Sequence, residues 1–204
     1  NALTIRGLVD SYKTTKDPVF LNKALLINSS LSKTMIDNNI IRHTSSGPAE
    51  VLFFEDYSYY IDALIGLYEI TFDEKYLKFA DELTVFSNEK FKEESGFYRF
   101  STNQESLFAD TLINLQDGVT PSANSVMNFN LFRLGHFNGN KEYLLHSKTM
   151  INNVSETIKD RVTDHLLWLN NSHNYSQKFY EIAISGNNAI GKAEEVMEEY
   201  LPNA

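Results

Sequence analysis

The sequence contains no cysteine, which excludes disulfide bridges, thiolate-ligated zinc and a Cys-x-x-Cys redox pair. That absence leaves the compartment open, with the cytoplasm as the default expectation. No apolar run approaches the ~20 residues of a membrane span, so a membrane is not an expected partner. The chain opens at Asn1 without Met or a signal-peptide pattern, and a preceding segment is expected. Positive charge is scarce and scattered: 18 Lys and Arg stand against 27 Asp and Glu, a net charge of −9. Binding to nucleic acid rests on clustered Lys and Arg neutralising phosphates, so that class is excluded. Also missing are H-x-H, HExxH and DxDxDG spacings, a Gly-rich phosphate loop and a G-x-S-x-G elbow, since neither Gly47 nor Gly96 sits in one. No metal and no cofactor are therefore expected.

What remains is ordinary globular material of 204 residues, with 42% hydrophobic side chains and one domain as the expectation. The 14 Phe and 11 Tyr fall mostly at helix-packing spacing. Between Phe53 and Phe91, Tyr57, Tyr60, Ile61, Leu64, Ile65 and Tyr68 recur every three or four residues, the apolar stripe of an amphipathic helix. Tyr76, Leu77, Phe79, Ala80, Leu83 and Phe86 repeat the pattern. Thr71-Phe72-Asp73 leaves room only for a tight reversal, so the two helices lie antiparallel.

The same unit recurs on either side. Asp17-x-x-Phe20-Leu21, Asp73-x-x-Tyr76-Leu77 and Asn140-x-x-Tyr143-Leu144 share a capping residue, an aromatic three on and a Leu four on. Three αα-hairpins are predicted, over about 2–37, 54–91 and 121–160. Asn38-Asn39 ends the second helix, Ile40-Ile41-Arg42 reads as a short extended piece, and a connector through Gly47-Pro48 follows. Gly96 to Phe100 alternates like a strand and precedes a long polar loop over 101–120. Thr120 is the expected cap and Pro121 the expected first residue of the next helix. Val162 to Asn171 reads as a short helix, Phe179 to Ser185 as the best strand, and 189–200 as a closing acidic helix before Pro202; strand and helix together span 178–200. Turns within hairpins are short and links between them long, which puts the long links on one rim, where binding chemistry usually sits.

Several segments carry a resemblance. NALTIRGLVDSY, FFEDYSYYIDALIGLYEITFDEKYL, Gly96-Phe97-Tyr98, DGVTPSANSVMNFNLFRL and EIAISG resemble, in order, the C-terminal region of thioredoxin-domain-containing proteins of the spermatogenesis-associated type. That family carries a domain-of-unknown-function label. It implies an all-α (α/α)6 toroid similar to six-hairpin glycosidases and N-acylglucosamine 2-epimerases, behind a thioredoxin-like domain. Three hairpins make about half a ring, with a minor β element. The implied partners are the missing N-terminal half-toroid and the thioredoxin-like domain in cis, with self-association as another cover for exposed flanks.

The rim holds the candidate chemistry. Glu55, Asp56 and Asp117 are the candidate catalytic carboxylates, because glycoside hydrolysis needs two suitably spaced acids. Acidic residues in a first helical turn also favour the helix dipole, which explains Glu55 and Asp56 without chemistry. Ser122, Asn124 and Ser125 lower helix propensity together without all being caps, so they join Tyr57, Tyr60 and His43 as candidate substrate-binding residues for a carbohydrate. Hydrolysis fits better than epimerisation, which wants a histidine base on the rim, where only His43 lies. His136, His146, His165 and His173 fall elsewhere. The competing expectation is a non-catalytic interaction or scaffold domain partnering the thioredoxin-like domain.

Overall fold

The computed structural model describes residues 1–45, 51–102, 112–197 and 199. Gly47-Pro48, residues 103–111 of the polar loop, Tyr200 and Pro202 lie outside the described residues. The class is all-α. Helices α1 (Ala2–Thr15) and α2 (Pro18–Thr34), α3 (Phe54–Thr71) and α4 (Glu74–Phe91), and α5 (Ala123–Phe137) and α6 (Lys141–Asp160) form three hairpins. A single 3-10 turn (Val162–Asp164), α7 (Leu166–Ser176) and α8 (Ala189–Val196) follow.

Each hairpin turns by the same device. A residue in the left-handed region (Lys16, Phe72 or Gly139) is followed by a residue whose side-chain oxygen accepts from the next helix's first N–H groups. Asp17 accepts from the Val19 N–H, Asp73 from Lys75, and Asn140 from Glu142 and Tyr143. The three caps are the Asp, Asp and Asn of the repeated sequence pattern. Gly135 has a second reason to lack a side chain, since a Cβ there would come within 2.6 Å of the Leu144 side chain on the returning helix.

Helices α1, α3, α5 and α7 pack side by side as an inner row, while α2, α4 and α6 each back their own hairpin partner. Covered on both flanks, α3 and α5 bury residues nearly all round, including Ile61, Leu64, Ile65, Leu67, Met127, Leu131 and Leu134. Short polar side chains let these helices approach closely. Asn130 Nδ2 donates to the Ser58 carbonyl (2.8 Å), Ser58 Oγ to the Ala123 carbonyl (2.7 Å), and Asn171 Nδ2 to the Ser125 carbonyl (2.8 Å). Asn128 and Ser147 exchange bonds between α5 and α6 in the same way.

Four local expectations are corrected. Helix α2 stops at Thr34, and β1 (Ile36–Asp37) pairs antiparallel with β2 (Ile40–Ile41). Asn38 and Asn39, both at positive φ, make the two-residue turn, the geometry that matches strand twist. Gly96 to Phe100 is not a regular strand; Tyr98 makes an isolated bridge with Lys92, and Ser101 just beyond makes another with Phe53. The helix expected from Val162 begins at Leu166 instead. Phe179 to Ser185 is irregular, and no described strand pairs with it. Among the described residues no helix is long and apolar enough to cross a membrane.

Candidate functional site

The N-terminal ends of α3 and α5 meet at one pocket of about 200 Å³. Glu55 and Tyr59, one turn apart on α3, form one wall. Asn114, Gln116 and residues 118–123 line it too, with the buried Phe54, Tyr98 and Asn124 at its base. Local pairing builds this floor. The N–H of Phe54 donates to the Phe100 carbonyl (2.9 Å) and that of Thr102 to the Leu52 carbonyl (3.0 Å), drawing the 98–102 segment beside the start of α3. The Phe54 and Tyr98 rings stack at 4.4 Å. Asn124 clamps the Tyr98 backbone from both sides, accepting its N–H at 2.8 Å and donating to its carbonyl at 2.9 Å.

Helix α5 begins one residue pair later than expected, capped by Ser122 rather than Thr120. Ser122 Oγ accepts from the Ser125 N–H (3.0 Å), and Pro121 lies just outside the helix. Asp117 organises the whole loop. Its Oδ1 accepts from the Ser122 N–H (2.9 Å) and Ser125 Oγ (2.7 Å), and its Oδ2 from the Leu167 N–H at the start of α7 (2.8 Å). Tyr59 Oη donates to the Pro121 carbonyl (2.6 Å), latching the loop to α3. Burial raises the Tyr59 hydroxyl's pKa, which keeps it a neutral donor.

Of the sequence candidates, Glu55, Ser122 and Asn124 line the pocket, and Asp117 and Ser125 sit directly behind its wall. Tyr57 and Tyr60 do not reach it. Both belong to the core stripe: Tyr57 donates to the Asn39 carbonyl and accepts from the Ile41 N–H, and Tyr60 donates to Asn28 Oδ1. Burial pushes Tyr57 up to about 12. Asp56 and His43 form a pair of their own, Nδ1 to Oδ2 at 2.9 Å, and neither lines the pocket. Tyr59, Asn114 and Gln116 are lining residues that sequence reasoning missed. Tyr59 was legible as part of a second stripe on α3, Glu55-Tyr59-Asp62-Gly66-Glu69, polar and spaced by four and three.

The His43–Asp56 pair gives a pH dependence with a definite sign. The hydrogen bond and charge of Asp56 raise His43 above its ordinary 6.5, while burial raises the Asp56 carboxyl despite His43. The imidazolium's contribution is full below 6.5 and fades as pH rises through the raised value. It also needs an ionised Asp56, so the clasp is strongest between the two. An NMR titration should place His43 above 6.5, and Asp56→Asn should return it toward that value.

Further along the polar stripe of α3, Asp62 and Glu69 meet cations from both neighbouring helices. Arg133 of α5 donates to Asp62, Asn130 (2.8 Å) and Glu69 (3.2 Å), with its guanidinium 4.5 Å from the Phe129 ring centre. Arg6 of α1 lies 3.5 Å from Glu69, which also accepts from Lys13. Gly66 makes room for this crossing, because a Cβ would stand 2.9 Å from Arg6 Nη1. Burial alone would raise Glu69, but Arg133, Lys13 and Arg6 overcome it and hold the carboxyl at about 2. Among the described residues no group of three or more His, Asp or Glu is placed to hold a metal ion.

No family model matches the chain. Spermatogenesis-associated protein 20 of Mus musculus is 34% identical over 52% of the chain, and an uncharacterised protein of Caenorhabditis elegans is 29% identical over 76%. The chain spans only 14% of the first relative's length and 23% of the second's. Among solved structures, a GH76 α-mannanase of Bacteroides thetaiotaomicron superposes with a TM-score of 0.59 at 19% identity, covering 76% of this chain and 43% of that one. That likeness shows the fold, and a coverage of 43% agrees with about half a ring. The chain is thus similar in sequence to part of spermatogenesis-associated protein 20, and its hairpins share the (α/α)6 toroid fold, about half a ring of it.

Proposed function

We propose that the pocket at the joined ends of α3 and α5 binds a neutral carbohydrate. The observation that carries this reading is its lining: one half-buried carboxylate, Glu55, among the amides of Asn114 and Gln116, the hydroxyl of Thr120 and the rings of Tyr59 and Phe100. Sugars are held by such sets, with aromatic faces against C–H groups and amides, hydroxyls and carboxylates against the ring hydroxyls. Among the described residues no Lys or Arg lines it, so a phosphorylated or acidic sugar would find no counter-charge there. In this reading Glu55 is the general acid or base and Asp117 a positioning residue, since three donors already occupy its oxygens. Asp56 acts through His43 on the connector. Hydrolysis needs a second free carboxylate, and the rest of the full-length protein is its source in this proposal. The same remainder supplies the other half-ring against the exposed Leu3, Val19 and Leu26 flank.

A non-catalytic reading, a scaffold partnering a thioredoxin-like domain, draws on the structural work of Asp117 and Asn124. Calorimetric titration of the full-length protein with neutral mono- and oligosaccharides separates the two. Binding is expected, and Glu55→Gln should weaken it about tenfold or more, as loss of one charge-assisted hydrogen bond does. No binding by any neutral saccharide, or binding indifferent to Glu55→Gln, would favour the scaffold.

A further inference from the structure

The segment between α7 and α8 has strand composition without strand pairing. Residues 178–185 read KFYEIAIS, and among the described residues none of their backbone N–H or C=O groups makes a hydrogen bond. The segment is nevertheless fixed. Phe179 packs its ring 4.9 Å from Phe132 and 4.5 Å from His136, and Glu181 pairs with His136 at 2.6 Å. These two contacts hold the segment against α5, while Tyr180 and Ile182 are 57% and 49% exposed.

The next element is uncovered too. Gly186-Asn187-Asn188 leads into α8, where Ala189, Ile190, Ala193 and Val196 recur at helical spacing. Not one residue of α8 is buried, and Ile190 is 63% exposed. A segment of strand composition, a Gly turn and an amphipathic helix are, in that order, the sequence pattern that opens a βαβ unit. Such a unit is completed by a parallel strand beside the first, with the helix packed over both. One added strand would satisfy the open backbone and cover the apolar residues of α8 together.

We infer that residues 178–197 are an incomplete β–α unit that receives a parallel β-strand from the remainder of the full-length protein. The relatives are four to seven times longer than the stretch they share with this chain (23% and 14% of their lengths), so polypeptide to supply the strand exists in proteins of this kind. A strand recruits its partner by backbone hydrogen bonds and sorts it by alternate side chains, here Tyr180 and Ile182. The surface lies on α5 and α8, and the inference does not depend on the carbohydrate reading.

Hydrogen exchange followed by mass spectrometry tests it on the full-length protein and on the 204-residue chain. Amides of 178–185 should exchange at least about a hundredfold more slowly in the full-length protein, and near the unstructured rate in the chain. Ala183→Pro removes one amide from the segment. In the full-length protein it should return the flanking amides toward the fast rate, whereas burial under a loop would leave them slow. Fast exchange in both proteins, or slow exchange in both, overturns the inference. Protection in the chain alone that grows with its concentration overturns it in favour of a second copy.

Discussion

Replacing Arg133 with alanine is expected to destabilise the protein by about 3–5 kcal/mol, the cost of breaking a buried ion-pair cluster, with Asp62 left only Arg6 at 3.8 Å. For a chain of this size that lowers the melting temperature by roughly 6–20 °C, readable by calorimetry or circular dichroism. The side chain is 7% exposed and ties α5 to α3 through Asp62 and Glu69, and Arg6 and Lys13 complete the tie to α1. The effect carries a pH signature. Because Glu69 is held at about 2 against an ordinary 4.5, its contribution is present above 4.5 and is lost as pH falls toward 2. Arg133→Ala should flatten the loss of stability over that interval, which a purely volumetric cavity would not do. An unchanged melting temperature would mean that this ion-pair cluster adds nothing to the hold between the three inner helices.

Removing the carboxylate of Asp117 is expected to cost about 4 kcal/mol, because Asp117→Ala orphans the N–H groups of Ser122 and Leu167 and leaves the Ser125 hydroxyl only the Ser122 carbonyl. Asp117→Asn, which keeps one acceptor, should cost about half as much. Urea unfolding measures both. Glu55→Gln, on the same pocket, should change stability by no more than about 0.5 kcal/mol, since the Glu55 side chain anchors no backbone group. If Asp117→Ala unfolds at the wild-type midpoint, Asp117 is not the loop's anchor, and its carboxylate is free for chemistry as Glu55 is.

The hairpins were legible because two signals agreed in each. The apolar stripe Tyr57-Tyr60-Ile61-Leu64-Ile65-Tyr68 gave the helix and its buried face, and the Asp or Asn cap gave its start. The same stripe argues against Tyr57 and Tyr60 as ligand residues: side chains spaced with Ile61 and Leu64 face the core with them. Glu55 and Tyr59 belong to the polar stripe between. The site was half legible for a related reason. Ser122, Asn124 and Ser125 stand out as poor helix formers, and their exceptional status proves structural: a cap, a clamp on Tyr98 and a bond to Asp117. Sequence shows that such residues have partners but not which. Asn38-Asn39 was read as a helix stop because Asn serves both there and in a two-residue hairpin turn, and only the pairing of Ile36 with Ile41 decides between them. Phe179 to Ser185 has the composition of a strand, but strand formation needs a neighbour, which local sequence does not encode.

The most direct test of the pocket assignment is to map where a sugar lands. Backbone amide shifts of the isotope-labelled full-length protein, titrated with a neutral saccharide that binds it, should move at Glu55, Tyr59, Asn114, Gln116 and Thr120. The amides around Arg6, Asp62 and Arg133 should stay still. Shifts confined to the ion-paired face of the inner helices, or none at the mouth between α3 and α5, would contradict the account.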